Sequence, residues 1–197
     1  MFNKSIKQTQ VDRRILHCLI GLVLLTVSFS SVADDQPTIN IKAASLSFQD
    51  QTYLLKANIN YQLSDDAIKA LHNGITLTFN VDLSIIEPRK WLWDKHLMSL
   101  TLPFQIKYHT LAETYQVSNK TNNLEHNFSN LSTALHALGL LNDIPVHAMG
   151  NRNFINANIS LTAYLNIEAL PLPMRPLAYI TPGWYLRSNT LQWPLAQ

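Results

Sequence analysis

The sequence predicts a mainly β protein: an antiparallel β-sandwich-like domain with two short helices, preceded by an N-terminal signal or anchor helix. The main observation is a period of two in the apolar side chains, which is typical of strands with one buried face. Two segments with helix start and stop residues interrupt this pattern. Strands of this half-buried kind favour a mostly antiparallel sheet. We therefore predict a signal segment at residues 1–33 and a single β-rich domain at residues 34–197.

The first 33 residues have the composition of an export signal. An apolar run, residues 15–29, follows four basic residues: Lys4, Lys7, Arg13 and Arg14. Ser31 and Ala33 fit the small-residue pattern of a cleavage site, so we predict cleavage after Ala33 and a periplasmic location. An uncut inner-membrane anchor stays open, since residues 15–32 approach the roughly 20 residues that span a bilayer. In both cases the domain lies beyond the inner membrane, and only this N-terminal segment would contact lipid.

Loss of this segment changes the charge and the cysteine content of the chain. The remaining 164 residues hold 11 basic and 12 acidic residues, and Cys18, the one cysteine, is removed. A nearly neutral domain offers no basic stripe to neutralise phosphates, so nucleic acid is excluded as a partner. A chain without thiols cannot form disulfides, thiolate nucleophiles or cysteine-ligated metal sites. We therefore expect one packed core to supply the stability.

The extended segments are separated by short polar turns. Five segments are predicted as strands: residues 39–48, 53–63, 77–85, 100–108 and 155–167. The turns at residues 49–51 and 111–113 predict hairpins. Pro103 cannot donate to a ladder and lies on the polar face of its strand, which predicts a sheet edge or a bulge there.

Two helices are predicted from their end residues. The first follows Ser64, which is an N-cap residue, carries Asp65 and Asp66 in its first turn and stops at Asn73-Gly74. The second begins at Ser129 and ends at Gly139. Its apolar residues are spaced for a single stripe: Leu131, Leu135 and Leu138.

The C-terminal part is predicted from its prolines and aromatic residues. Three prolines in residues 170–176 remove ladder donors and predict an extended crossing loop. Pro182-Gly183 is interpreted as a turn before a last strand at residues 184–193. Three aromatic side chains are expected in the core: Trp184, Tyr185 and Trp193.

The sequence offers no pattern typical of catalysis or of cofactor or metal binding. The carboxylates of Asp65 and Asp66 are explained by the helix start. The histidines of the domain lack the i, i+4 spacing of HExxH, and GxSxG is absent. These histidines are His72, His96, His109, His126, His136 and His147. We therefore predict no enzyme activity, no cofactor and no metal site, and we place His136 on the polar side of its helix.

One segment between two predicted strands combines cations with tryptophans. Such a surface suits contact with headgroups, a peptide or another protein. The candidate interaction residues are Arg89, Lys90, Trp91, Trp93 and Lys95. The structural alternative is a hairpin end in which one indole covers the core and the charges are solvated.

Several further features are distributed over the domain: Ala70-Leu71-His72-Asn73-Gly74-Ile75, the pair Trp91 and Trp93, residues 131–139, Leu170-Pro171-Leu172-Pro173, and the ending from Leu186-Arg187-Ser188 to Trp193-Pro194-Leu195. Together they resemble the DUF4390 family, which consists of exported bacterial proteins of unknown function. The resemblance covers nearly the whole domain and implies no catalytic residues. It also implies an accessory to a membrane sensor histidine kinase of the nitrogen-regulation type.

The sequence thus favours an exported, non-catalytic binding protein. Strand edges and the Trp91–Trp93 segment are expected to engage an envelope or inner-membrane protein, with a sensor's extracytoplasmic region as one candidate. Two other classes stay open. A small outer-membrane β-barrel suits alternating strands of about ten residues, and a periplasmic hydrolase would need histidine, serine and aspartate brought together by the fold.

Overall fold

The computed structural model of the protein describes residues 37–89, 94–146 and 157–195, and this part is built mainly from β-strands. Its strands are β1 (Thr38–Gln49), β2 (Thr52–Gln62), β3 (Leu77–Glu87), β4 (Lys95–His109), β5 (Thr114–Asn119), β6 (Leu124–Phe128), β7 (Leu140–Pro145), β8 (Asn158–Leu165) and β9 (Leu191–Pro194). Its α-helices are α1 (Asp65–His72), α2 (Leu131–Gly139) and α3 (Arg175–Ile180). The predicted mainly β class is confirmed. The predicted signal or anchor helix lies outside the described residues.

The strands form two sheets in which all neighbours are antiparallel. A three-stranded sheet has the order β1-β2-β7, and a six-stranded sheet has the order β6-β5-β4-β3-β8-β9. The central strand β3 pairs with β4 on one side and with β8 on the other. The predicted antiparallel architecture is therefore confirmed, with two sheets whose inner faces share one core.

The core follows from the alternation in the sequence. All five apolar residues of one face of β3 are completely buried: Leu77, Phe79, Val81, Leu83 and Ile85. The matching face of β2 contributes a second row of buried residues: Leu55, Ala57, Ile59 and Tyr61. Removing this apolar area from water is the main stabilising term for a fold without disulfides.

The β1–β2 hairpin places β2 in its sheet. Asp50 and Gln51 both have positive φ, which is the backbone of a type I′ turn whose twist matches that of the strands. A bulge next to Lys42 in β1 changes which residues face the core, from Ile39 and Ile41 to Leu46. Because the extra residue is on β1, β2 stays regular along its length.

Both predicted helices are present. The Ser64 side chain accepts a hydrogen bond from Ala67 N at 3.2 Å, and Gly74, just beyond the helix, has a φ of +81°. The second helix begins later than predicted, because its N-cap is Asn130, whose side chain accepts from Thr133 N at 2.8 Å. Asx side chains cap helices as well as serine does, so Ser129 was the wrong choice.

The C-terminal predictions are partly wrong. Residues 170–176 are not a simple extended loop. They contain a 3-10 turn at Leu172–Met174 and the start of α3. Prolines are tolerated in the first turn of a helix, where the N–H has no partner to lose. The last strand is also shorter than predicted, since only Leu191–Pro194 pairs with β8 as a strand. Tyr185 was predicted in the core and is instead 73% exposed, so that prediction was wrong.

Pro103 lies at the point in β4 where pairing with a second strand, β5, begins. It pairs with Asn80 of β3, whereas the pairing with β5 begins only at Phe104. Its carbonyl accepts a hydrogen bond from Lys120 N at 3.0 Å, so its missing N–H faces the side on which β5 ends. The sequence predicted an edge or a bulge at Pro103, and the structure places it where the β5 neighbour of β4 ends.

Candidate interaction site

The predicted tryptophan surface is only partly described. Lys90, Trp91 and Trp93 lie outside the described residues. Arg89 and Lys95 are exposed at the end of the β3–β4 hairpin, where Glu87 pairs with Lys95. Arg89 N donates to Asp94 Oδ1 at 3.3 Å, and this bond closes the base of the connecting segment.

A groove of about 540 Å³ lies beside β2, and it was not predicted. One wall is the end of β2 from Asn58 to Gln62 with the next residue, Leu63, and the other is α2, with Ile68 of α1 at one end. Four residues of α2 line it: Leu131, Ser132, Leu135 and His136. They recur at helical spacing, so one face of α2 forms the wall.

The wall formed by β2 is an open strand edge. Pairing with β7 ends at Asn58, opposite Leu140, because the chain of β7 is there joined directly to α2. Among the described residues, β2 has no strand partner on this side from Asn60 to its end. An unpaired edge presents N–H and C=O groups that can accept a further strand.

The position of Gly139 shows which backbone groups face the groove side. A Cβ on Gly139 would lie 1.8 Å from the carbonyl oxygen of Ile59, so this oxygen points towards α2. Backbone direction alternates along a strand, so the N–H and C=O of Tyr61 point the same way. Tyr61 therefore presents its main chain to the groove, while its side chain is buried in the core.

The Tyr61 side chain is an unusual part of that core. Its hydroxyl is buried and has no hydrogen-bond partner among the described residues. The ring meets Phe79 edge to face, with 4.9 Å between the centroids. Burial raises the pKa of the Tyr61 phenol well above its ordinary value of 10.0. The buried Tyr61 ring thus fixes this end of β2 against the core.

The groove carries one positive charge, that of Lys42. Its lining also contains His136, which is exposed like Lys42, and no carboxylate among the described residues that form it. His136 lies on the polar face of α2, as predicted. Ser132 is one turn from His136, but no hydrogen bond joins the two side chains. The groove therefore offers main-chain pairing, apolar contacts and one cation, Lys42.

Two histidines away from the groove have structural partners. His72 Nε2 and the Tyr115 hydroxyl are hydrogen-bonded at 2.7 Å, and the His72 ring packs against Tyr108. His109 bonds Gln116 at 3.0 Å. Within residues 37–89, 94–146 and 157–195, no three His, Cys, Asp or Glu side chains group in a way that would hold a metal ion. Asp65 and Asp66 lie in the first turn of α1, where the helix dipole favours them.

No helix in the described part of the chain is long and apolar enough to cross a membrane. The fold and the groove define a two-sheet antiparallel β protein with an open strand edge. The chain belongs to the family described as a domain of unknown function, DUF4390, whose model matches residues 36–194. No curated protein and no solved structure matches the chain.

The sequence could have indicated the groove only indirectly. The run Leu138-Gly139-Leu140 joins a helix directly to a strand, and such a junction leaves little room for turn residues. The sequence does not say which strand β7 would join. The open edge of β2 is therefore a tertiary feature.

Proposed function

We propose that the protein is an exported, non-catalytic binding protein that takes up an extended segment of another envelope protein along the open edge of β2. The single observation that carries this proposal is the unpaired β2 edge at Asn60–Gln62 facing α2 across a groove. A strand laid between an edge strand and a helix gains main-chain hydrogen bonds from one wall and apolar contacts from the other.

The dimensions of the groove support this proposal. A volume of about 540 Å³ falls in the range of roughly 300–1,000 Å³ that is typical of ligand sites. Leu131 and Leu135 are half-buried and offer an apolar wall. Side chains of an added strand would point alternately to the two faces of the sheet, and those on the side of α2 would contact this wall.

The charge of the groove narrows the class of partner. Lys42 favours a segment that carries aspartate or glutamate, because opposite charges steer association and fix register. The partner that the family resemblance implies is the extracytoplasmic region of a membrane sensor histidine kinase. The exposed cations Arg89 and Lys95, with Trp91 and Trp93, are proposed as a second contact surface for the same partner.

The experiment is photo-crosslinking in intact cells with a photoreactive amino acid at Asn60, which is exposed beside the edge. We expect a discrete adduct with one envelope protein. The matched position is Lys107, which is exposed on β4 away from the groove and should give no such adduct.

A blocking substitution makes this experiment decisive. Ser132→Trp places an indole in the groove and should abolish the Asn60 adduct. Ser129→Trp makes the same change at an exposed residue just before α2, which does not line the groove, and should leave the adduct intact. An adduct that survives Ser132→Trp in a folded protein, or the lack of any adduct specific to Asn60, would refute strand addition at this edge.

A further inference from the structure

The groove beside β2 is closed at one end. A Cβ on Gly139 would lie 1.8 Å from the Ile59 carbonyl oxygen, so no further chain fits between α2 and β2 at that point. From Asn58 onwards the same edge is occupied by β7. The free part of the edge is Asn60–Gln62, which spans about 10 Å at roughly 3.3 Å per residue. A strand that enters the groove therefore has to end, or to leave the sheet, before it reaches Gly139.

The direction of β7 shows how an added strand would run. β7 lies on the same edge, pairs antiparallel with β2, begins at Leu140 opposite Asn58 and runs away from the groove. A strand added in the same direction runs along β2 from Gln62 towards Asn60. The described sheets contain antiparallel pairs throughout, and this pairing is slightly more stable per residue than parallel pairing. The carboxyl end of an added strand would thus point to the closed end.

A cation lies level with the closed end. Lys42 is the extra residue of the β1 bulge opposite Asn58 and Ile59. It lines the groove, and no carboxylate in the described part of the chain forms an ion pair with it. Further along the sheet, Lys56 and Asp143 pair with each other at 3.2 Å. The closed end therefore has one cation without a partner of opposite charge.

The other end of the groove borders α1 and has the opposite balance of charge. This helix carries two carboxylates, Asp65 and Asp66, against one cation of full charge, Lys69. Such a distribution favours the anionic end of a chain at the closed end of the groove. Because α2 ends there with a partial negative charge, the anion is expected on the exposed side of the sheet, beside Lys42 and the Asn60 amide.

We propose that the groove binds the C-terminal tail of its partner, antiparallel to β2, with the free α-carboxylate beside Lys42. This inference rests on the proposed strand addition at β2 and names the class of segment. The segment is about the last three residues of a chain, with an apolar side chain against Leu131 and Leu135. Main-chain pairing and carboxylate capture are both established modes of peptide recognition. An internal acidic segment carries the same charge but does not end at the closed end.

The test uses residues 34–197, because residues 37–197 form a compact unit. Two libraries of short random peptides are displayed on phage. One library ends in the random residues with a free carboxylate, and the other carries a fixed Gly-Ser extension after them. We expect enrichment from the first library only. The most enriched sequence is then synthesised as the free acid and as the C-terminal amide. The amide should bind about tenfold more weakly, since it loses a hydrogen bond between charged groups.

Substitution of the cation separates a direct contact from a structural role. Lys42→Gln should weaken binding of the free acid by about tenfold and leave binding of the amide unchanged. A loss of structure would weaken both peptides equally. Lys107→Gln makes the same change at an exposed residue of β4 away from the groove, and it should keep the full difference between acid and amide. Ser132→Trp should abolish binding of both peptides.

A photoreactive amino acid tests the direction of the bound tail. At Asn60 it should crosslink to the final residue of the peptide, and at Gln62 to a residue nearer the N-terminus. The reverse mapping would refute the proposal, as would enrichment from the extended library or from neither library. Neither library would be enriched when a second copy of the chain fills the groove, and Ser132→Trp would then convert a dimer to a monomer.

The affinities also distinguish this inference from the proposed function on which it rests. Equal binding of acid and amide that Ser132→Trp abolishes would refute recognition of a chain end and leave strand addition at β2 intact. Binding of both peptides that survives Ser132→Trp in a folded protein would refute recognition in this groove altogether.

Discussion

Gly139 and Ile59 meet so closely that a Cβ on the glycine would lie 1.8 Å from the Ile59 carbonyl oxygen. Only a residue without a side chain allows the C-terminal end of α2 to approach the β2 edge in this way. This contact fixes the width of the groove at its closed end, and it explains why a helix can continue directly into β7.

Substitution of Gly139 should therefore be costly. We expect Gly139→Ala to lower the free energy of unfolding by about 3 kcal/mol, because the strand backbone cannot move aside without breaking β1–β2 pairing. Denaturant titration followed by circular dichroism measures this. Gly74→Ala is the control, since its positive φ costs about 1 kcal/mol while the space around it is open. Equal losses in the two variants would contradict the close contact.

Removal of the Tyr61 hydroxyl should stabilise the domain. A buried hydroxyl without a partner costs about 1–3 kcal/mol, so Tyr61→Phe should raise the free energy of unfolding by about 1 kcal/mol. Tyr115→Phe is the matched change, because the Tyr115 hydroxyl is hydrogen-bonded to His72. This variant should lose about 1 kcal/mol. The prediction fails when both substitutions shift stability in the same direction.

The same hydroxyl should make stability depend on alkaline pH. Burial raises the pKa of Tyr61 in the folded state above its ordinary value of 10.0. The unfolded chain therefore loses this proton first. Titration of Tyr61 leaves the free energy of unfolding unchanged below about pH 10 and lowers it as pH rises further. The decline approaches about 1.4 kcal/mol per pH unit. Urea titrations above pH 10 should show a shallower decline for Tyr61→Phe, and an identical pH profile would contradict the prediction.

The N-cap of α2 should support the groove wall. Asn130→Ala removes the acceptor for Thr133 N and for Thr133 Oγ1, and should lower the free energy of unfolding by about 1 kcal/mol. Asn130→Asp keeps an acceptor at the N-terminus of the helix and should retain full stability. Thermal unfolding of the three proteins measures this difference. A loss of stability in the aspartate variant equal to that in the alanine variant would argue against capping.

The local features were predictable because each depends on neighbours in the chain. The alternation in residues 77–85 determines the buried face of β3, and Ser64 with Asn73-Gly74 marks the ends of α1. The errors occur where local patterns permit several structures. Proline is compatible with an extended loop and with a first helical turn, so α3 was missed. Tyr185 is aromatic like Trp184, but only tertiary packing decides that Trp184 is 4% exposed and Tyr185 is 73% exposed.

The candidate site was the least predictable part, because its walls come from segments far apart in the sequence. No local pattern states that β7 pairs with the first half of β2 only. The bulge beside Lys42 was visible as a phase change between Ile41 and Leu46, and this observation would have placed Lys42 at a sheet irregularity. The Trp91–Trp93 surface stays a prediction.

The pairing of β3 with β8 has a consequence for the order of assembly. Phe79 pairs with Leu165 and Ile86 with Asn158, so the central strand is completed by a segment that appears late in the chain. A polypeptide that emerges N-terminus first can close the β1–β2 and β3–β4 hairpins early, but it keeps one side of β3 open until β8 has emerged. Such distant pairing slows folding and prolongs the exposure of an apolar strand. A chaperone that recognises extended apolar segments would therefore find its best target in residues 77–87.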